Sequence, residues 1–441
     1  MDIPDTPAGR RLRWLIDHTG EGAASVEEIT DQFEPWFLER VPLERIVGFL
    51  AQSAYLRDAP IVDVHAGSDQ AVAVRFAVGD ERLSLNVHVD NLKPHRITGL
   101  IVSTGPTRIE VLDETPAATG TLEDAVREKI TPFAEGLTAG GIVVGAMRGG
   151  ESIVVTFGVA TRHGLYDLGS ITKPFTGILL AEMVRRGDVS LDDHVSAFLP
   201  DEVTAPPGVT LLALATHSSG LPSIPPNFEP ADMDNPWATF TRDVMYEALS
   251  STNLEFEPGS KSSYSNFGFD LLGHALELAG GQSFAELLEE RVCRPLGLAK
   301  TRVFTETLPH GYVQGYRRTG EPTPAWTSPL PGAGGASSTI DDLLAFAAAN
   351  LDPASTPIAE SLEAAQAPRI DDGERMHVCL GWHIIDHRDG SPIVWHNGGT
   401  GGFRSFIALH PASGTAVAAL CNNGGSDPDA AVLSVLAALT R

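Results

Sequence analysis

Apolar runs of strand length fall at the two ends of the C-terminal three-quarters of this chain, and their placement limits the folds open to it. Residues 142–147 and 153–159, divided by the turn pair Gly149-Gly150, form one hairpin. A second pair of runs, 406–410 and 416–421, lies far downstream, with helical patterns between. The arrangement predicts one sheet, opened by the first hairpin and completed by the returning C-terminal segment. An apolar helix at 430–439 would cover it.

Upstream, the pattern is different. Helices are expected at 11–18, after the capping-box spacing Ser25-Val26-Glu27-Glu28, and at 43–55. The period then changes to two. Strands are expected at 61–64, 71–78, 83–89 and 97–102, separated by Gly67-Ser68-Asp69 and Gly79-Asp80. Asp63 and His65 share one side of the first strand, which fits plain solvent exposure. Helices followed by an antiparallel meander predict a small α+β domain over 1–105. The Pro/Gly/Thr-rich passage 106–120 reads as a linker, and a second domain over 121–441 opens with a helix at 122–137.

A net charge of −26 over 441 residues argues against nucleic acid or an anionic membrane as partner. Cys293, Cys379 and Cys421 are far apart and lack metal-ligand spacing, so neither a disulfide framework nor a metal is expected. No apolar run reaches spanning length, and no long apolar segment follows Arg10-Arg11-Leu12-Arg13, so a cytoplasmic protein is expected.

Three short motifs carry chemistry. In Gly169-Ser170-Ile171-Thr172-Lys173, serine and lysine share one helical face at a helix start. Lys173, if desolvated, can act as the base that activates Ser170 or as the cation that tunes one. The same spacing also describes a capping serine beside a solvated lysine. Tyr264-Ser265-Asn266 precedes an apolar helix at 268–279. Tyr264 could serve as general base, as a phenolate stabilised by Lys173 or through a relay, and Asn266 could hydrogen-bond the lysine and a substrate. The plainer reading is a loop tyrosine ahead of a helix. In Trp395-His396-Asn397-Gly398-Gly399-Thr400-Gly401-Gly402-Phe403, the glycines permit close approach of a strand edge. The Gly399 and Ser170 N–H groups could together hold an oxyanion. His396 could donate to a substrate carboxylate or to the tetrahedral oxygen.

Together and in this order, the motifs resemble the serine β-lactamase and penicillin-binding-protein superfamily, in the branch of class C β-lactamases, D-amino-acid peptidases and family VIII esterases. Leu211 through Leu221, Phe256-Glu257-Pro258-Gly259, Arg294-Pro295-Leu296-Gly297-Leu298 and Gly381-Trp382 are similar landmarks. The resemblance covers residues 121–441. It implies an α+β domain, with antiparallel sheet flanked by helices plus an all-helical subdomain, and acyl-enzyme chemistry at Ser170 without a cofactor. Tyr264 and Lys173 would manage the proton and Asn266 would position substrate, while His217 would pack structurally. Where β-lactamases carry Lys-Thr-Gly, this chain has His396-Asn397-Gly398, which removes a permanent cation and looks more like the esterase and peptidase branches. The N-terminal domain resembles, in topology alone, the cone-shaped nuclear-transport-factor-2-like and steroid-isomerase-like domains. It also resembles a domain found ahead of some β-lactamase-like proteins of antibiotic gene clusters.

For substrate binding, the expected contacts are Asn397 and Gly398 beside the serine, with Phe228 and Trp237 from one Pro-rich loop and Tyr316 and Trp326 from another. The expected function is hydrolysis of a small ester or amide. Acyl transfer to an amine or alcohol is the alternative, β-lactam hydrolysis the third, and a non-catalytic metabolite binder the reading from another class.

Overall fold

The computed structural model describes every residue except 1, 21–23, 79–80, 91–92, 105, 305–307 and 374. The chain divides into two compact units, Met1–Pro106 and Thr107–Arg441. The turn expected at Gly79-Asp80 lies outside the described residues.

In the first unit, helices Pro7–Asp17, Val26–Gln32, Pro35–Arg40 and Leu43–Gln52 precede four strands, Ile61–Ser68, Ala71–Val78, Glu81–Val89 and Ile97–Thr104. The strands pair in sequential order, all antiparallel. Alternation sends Val72, Val74, Phe76, Leu83, Leu85 and Val87 into one core with Leu12, Leu15 and Ile29. The Ser25–Glu28 capping box forms as spaced. The first helix starts earlier than its apolar pattern suggests, because Thr6 caps it and Pro7 occupies its first turn. On the first strand Asp63 is exposed, and so is Val62 at 38%, so both sides of that strand are wet there.

The second unit is built on an eight-stranded antiparallel sheet. Its order is Ile370–Asp371, Met376–Val378, His383–Asp386, Pro392–Gly399, Arg404–His410, Thr415–Cys421, Gly141–Arg148 and Glu151–Gly158. The C-terminal strands therefore complete the sheet opened by the first hairpin, with Val417 opposite Ala146. On one face, Val126 and Ile130 of helix Leu122–Glu135 and Val432 and Leu436 of helix Asp429–Leu439 pack on Ile142, Val144 and Phe406. On the other, helices Thr172–Arg186 and Ile340–Leu351 join a larger core with Val143, Val394 and Ile407. Between the two sheet halves in sequence lie helices Leu211–Ala215, Arg242–Ser251, Asn266–Gly280 and Phe284–Leu288.

The passage expected to be a linker is ordered in part. Thr107 and Glu110 form a capping box for helix Arg108–Glu114, which buries Val111 and Leu112 in the core of the second unit. Its flanking prolines and threonines read as loop in composition, yet a threonine three residues before a glutamate is a helix start.

Candidate active site

Ser170 sits in a single 3-10 turn, Gly169–Ile171, between the short strand Tyr166–Asp167 and helix Thr172–Arg186. Its hydroxyl caps nothing, since no side chain caps the helix start. Instead it accepts a hydrogen bond from Lys173 Nζ at 3.1 Å. Lys173 is fully buried and donates also to Asn266 Oδ1 and to the Ala333 carbonyl, each at 2.8 Å. All three ammonium donors are thus used, and the reading of a solvated lysine is excluded. Burial pushes the Lys173 pKa down to about 7, against the opposing pull of Asp270. Asp270 is itself buried, which pushes its carboxyl up to about 7, and it accepts the Ala333 N–H at 2.9 Å. The Ala333 residue therefore bridges lysine and aspartate, one through its carbonyl and the other through its N–H.

Asn266 is the first residue of helix Asn266–Gly280, which starts two residues earlier than its apolar pattern indicates, because Ser265 caps it by accepting the Gly268 N–H at 2.9 Å. Tyr264 precedes that cap. Lys173 Nζ lies 4.7 Å from the centre of its ring, against the aromatic face. Burial of the hydroxyl raises its pKa well above the ordinary phenol value, and a hydrogen bond with Ser170 offsets this only in part. That direction favours the phenol over the phenolate expected from the sequence, on a residue that is 37% exposed overall.

The third motif forms the inner edge of the site. Strand alternation puts Val394, His396 and Gly398 on the side of the sheet that faces the Ser170 helix. A side chain at Gly398 would begin 2.0 Å from the Leu168 carbonyl and 2.9 Å from the Ser170 nitrogen, so only glycine fits. Gly169, at φ +50°, would place a Cβ 2.6 Å from the Gly399 nitrogen. Ser405 Oγ of strand Arg404–His410 donates to the Leu168 carbonyl at 2.6 Å and Thr400 Oγ1 of the glycine motif to Asp167 at 3.1 Å, tying both to the serine turn.

Comparison with known proteins assigns the chain to a family. The profile of the family described as Beta-lactamase covers residues 126–441. The chain belongs to the β-lactamase family. As a member of it, the protein is an enzyme of the serine hydrolase superfamily that includes the penicillin-binding proteins. Similar relatives include the D-alanyl-D-alanine-carboxypeptidase/endopeptidase AmpH of Escherichia coli (strain K12), 30% identical over 55% of this chain and 67% of the relative. A Beta-lactamase of the same strain is 27% identical over 71% of this chain and 92% of its own length. Penicillin-binding protein 4* of Bacillus subtilis (strain 168) is 27% identical over 56% and 58% respectively. Residues 3–92 match a second profile, described as ORF 12 gene product N-terminal.

The other expected contacts of this β-lactamase family member lie as follows. Asn397 turns to the opposite side of its strand and donates to Asp429 Oδ2 at 2.6 Å, so its amide is committed to the C-terminal helix, not to substrate. Phe228 and Trp237 pack at a 40° tilt with centres 4.4 Å apart, and Trp237 meets Phe240 edge-on at 5.7 Å, in the aromatic packing of the helical region. Tyr316 is held through its backbone to Asn422 and Gly424. Trp326 lies against the motif, its Nε1 2.6 Å from where a Cβ on Gly401 would stand. Sequence reasoning missed two neighbours of the serine cluster. Asp270 was hidden in the apolar run Phe267–Leu272, where a lone carboxylate is itself a signal. His383 directly follows the Gly381-Trp382 landmark and lies 5.0 Å from His396, ring to ring. Among the described residues no helix is long and apolar enough to cross a membrane.

Proposed function

We propose that Ser170 is the nucleophile of an acyl-enzyme hydrolase acting on small esters or amides. The observation that carries the reading is a fully buried Lys173, its pKa brought to about 7, with Nζ 3.1 Å from Ser170 Oγ. A neutral lysine takes the serine proton as Oγ attacks the carbonyl carbon. The negative charge on the carbonyl oxygen is met by the Ser170 and Gly399 N–H groups, whose close approach requires the glycines at 169 and 398. Tyr264, as a phenol bonded to Ser170, passes a proton to the leaving group and is reprotonated through Lys173. Water then attacks the acyl-enzyme by the reverse route. Asn266 holds the lysine through Oδ1, which leaves its amide nitrogen for the substrate.

Histidine rather than lysine at 396 favours the esterase and peptidase branch over β-lactam hydrolysis. The names of the relatives nevertheless make a D-alanyl-D-alanine peptide and a β-lactam necessary members of any substrate panel. For residues 1–106 we propose a cone-like domain of the nuclear-transport-factor-2 type with a binding or packing role, supported by helices leading into a four-stranded meander. The test is steady-state hydrolysis of p-nitrophenyl esters, the dipeptide and a cephalosporin by wild type and Ser170→Ala. Turnover lost in the variant supports the proposal; equal rates in both proteins overturn it.

A further inference from the structure

Three imidazoles form a row beside the Ser170–Lys173–Tyr264 cluster. His217 packs at a tilt against Tyr264 with centres 4.4 Å apart and faces His383 at 6.2 Å, and His383 lies 5.0 Å from His396 at a tilt. The backbone sets the tautomers of the outer two. The Ser265 N–H donates to His217 Nδ1 at 3.1 Å, so the His217 proton rests on Nε2. His396 Nδ1 lies 2.6 Å from the Asn397 carbonyl, which can only accept, so Nδ1 carries the proton and Nε2 is a bare acceptor. His217 and His396 are 2% and 1% exposed, and both Nε2 atoms are buried without a hydrogen-bond partner. A buried polar atom kept unpaired is costly, and these two belong to the row of rings that ends on Tyr264, next to Ser170 and Lys173.

This tautomer reverses the expected role of His396. A carboxylate oxygen offers only lone pairs, and so does His396 Nε2. Nor does the ring supply a cation on demand. Burial holds both imidazoles well below their ordinary pKa, with the neighbouring His383 and Lys173 acting in the same direction. The pair thus presents one neutral acceptor and one neutral donor, the complement of an amide or a hydroxyl.

Resting on the reading of Ser170 as nucleophile, we propose that His396 Nε2 accepts from a substrate N–H or O–H while His217 Nε2–H donates to a substrate oxygen. The acyl donors of this site are then neutral molecules with an amide or hydroxyl near the scissile carbonyl, not free carboxylates.

Three phenyl esters of matched shape test this: succinamate, 4-methylpentanoate and hemisuccinate, compared by kcat/KM in the wild-type protein at neutral pH after subtraction of spontaneous hydrolysis. Succinamate should exceed the alkyl ester by at least about three- to tenfold, the worth of one hydrogen bond, and by more where both imidazoles are engaged. Hemisuccinate should be the slowest. His396→Lys should reverse the order of succinamate and hemisuccinate. A wild-type preference for hemisuccinate, or equal rates for amide and alkyl esters, overturns the proposal even if the variant fails to fold. Intact mass separates the two levels of failure. Ser170 adducts with a flat ranking overturn this inference alone, whereas no adduct from any ester overturns the nucleophile reading and this inference with it.

Discussion

Replacing Asp270 by asparagine probes the proton economy of the proposed mechanism without touching Ser170 or Lys173. The asparagine keeps an oxygen for the Ala333 N–H, which Asp270 accepts at 2.9 Å, and removes only the charge. The Ala333 carbonyl lies 2.8 Å from Lys173 Nζ. Since one residue spans about 4 Å between its N and O at most, carboxylate and ammonium lie within about 10 Å of each other. At an effective dielectric of about 20, a unit charge at about 10 Å is worth ~1.7 kcal/mol, or slightly over one pKa unit. Burial pushes the lysine pKa down and the carboxyl pKa up, toward each other, so Asp270 carries only part of its charge where Lys173 titrates. The net displacement is then about 0.5–1 unit. The sign is fixed: Asp270 raises the lysine pKa, so its removal lowers it. Lys173 must be neutral to accept a proton, so acylation falls on the acid side of about 7 in the wild type. In Asp270→Asn that limb moves toward lower pH. Single-turnover release of p-nitrophenol between about pH 5 and 9 measures it. A limb that stays in place or moves to higher pH would refute the assignment of Lys173 as base under the influence of Asp270.

Other consequences are simpler to measure. Ser170→Ala should abolish turnover yet change stability in urea by no more than about 2 kcal/mol, because the hydroxyl caps no helix and only its bonds to Lys173 and Tyr264 are lost. Tyr264→Phe should slow acylation by about 10²–10³ with little change in KM; a rate within twofold would remove the tyrosine from the proton path. Gly169→Ala, at φ +50° and with a Cβ 2.6 Å from the Gly399 nitrogen, should cost about 1–2 kcal/mol from backbone conformation alone. It should also displace the paired N–H groups, and wild-type kcat in a stably folded variant would show that their spacing is not critical.

Much of the fold could be read from period and position. The runs at 142–147 and 416–421 become neighbouring central strands because both are apolar on every residue, as a sheet covered on two faces requires. The helix at the C-terminus covers the sheet for the same reason. Helix ends were less legible: Thr6 and Ser265 set starts that apolar spacing does not mark, and Thr107 begins a helix inside a passage with the composition of a linker. In the site, short-range spacing served well, and the structure brings Ser170, Lys173, Tyr264 and Asn266 together. Side-chain direction did not follow from spacing. Asn397 lies one residue from His396 and therefore on the other face, where Asp429 takes its amide. The tautomer of His396 depends on a carbonyl contact, and the coupling of Asp270 to Lys173 runs through a residue more than sixty positions away. Neither leaves a trace in local sequence.

The central claim is that Ser170 carries the acyl group. Its most direct test is to quench the wild-type protein during turnover of a p-nitrophenyl ester, digest it, and locate the acyl mass by fragment sequencing. The account predicts modification at Ser170, and none in the Ser170→Ala protein treated alike. An acyl group found on any other residue, or turnover with no covalent species in the wild type, would contradict it.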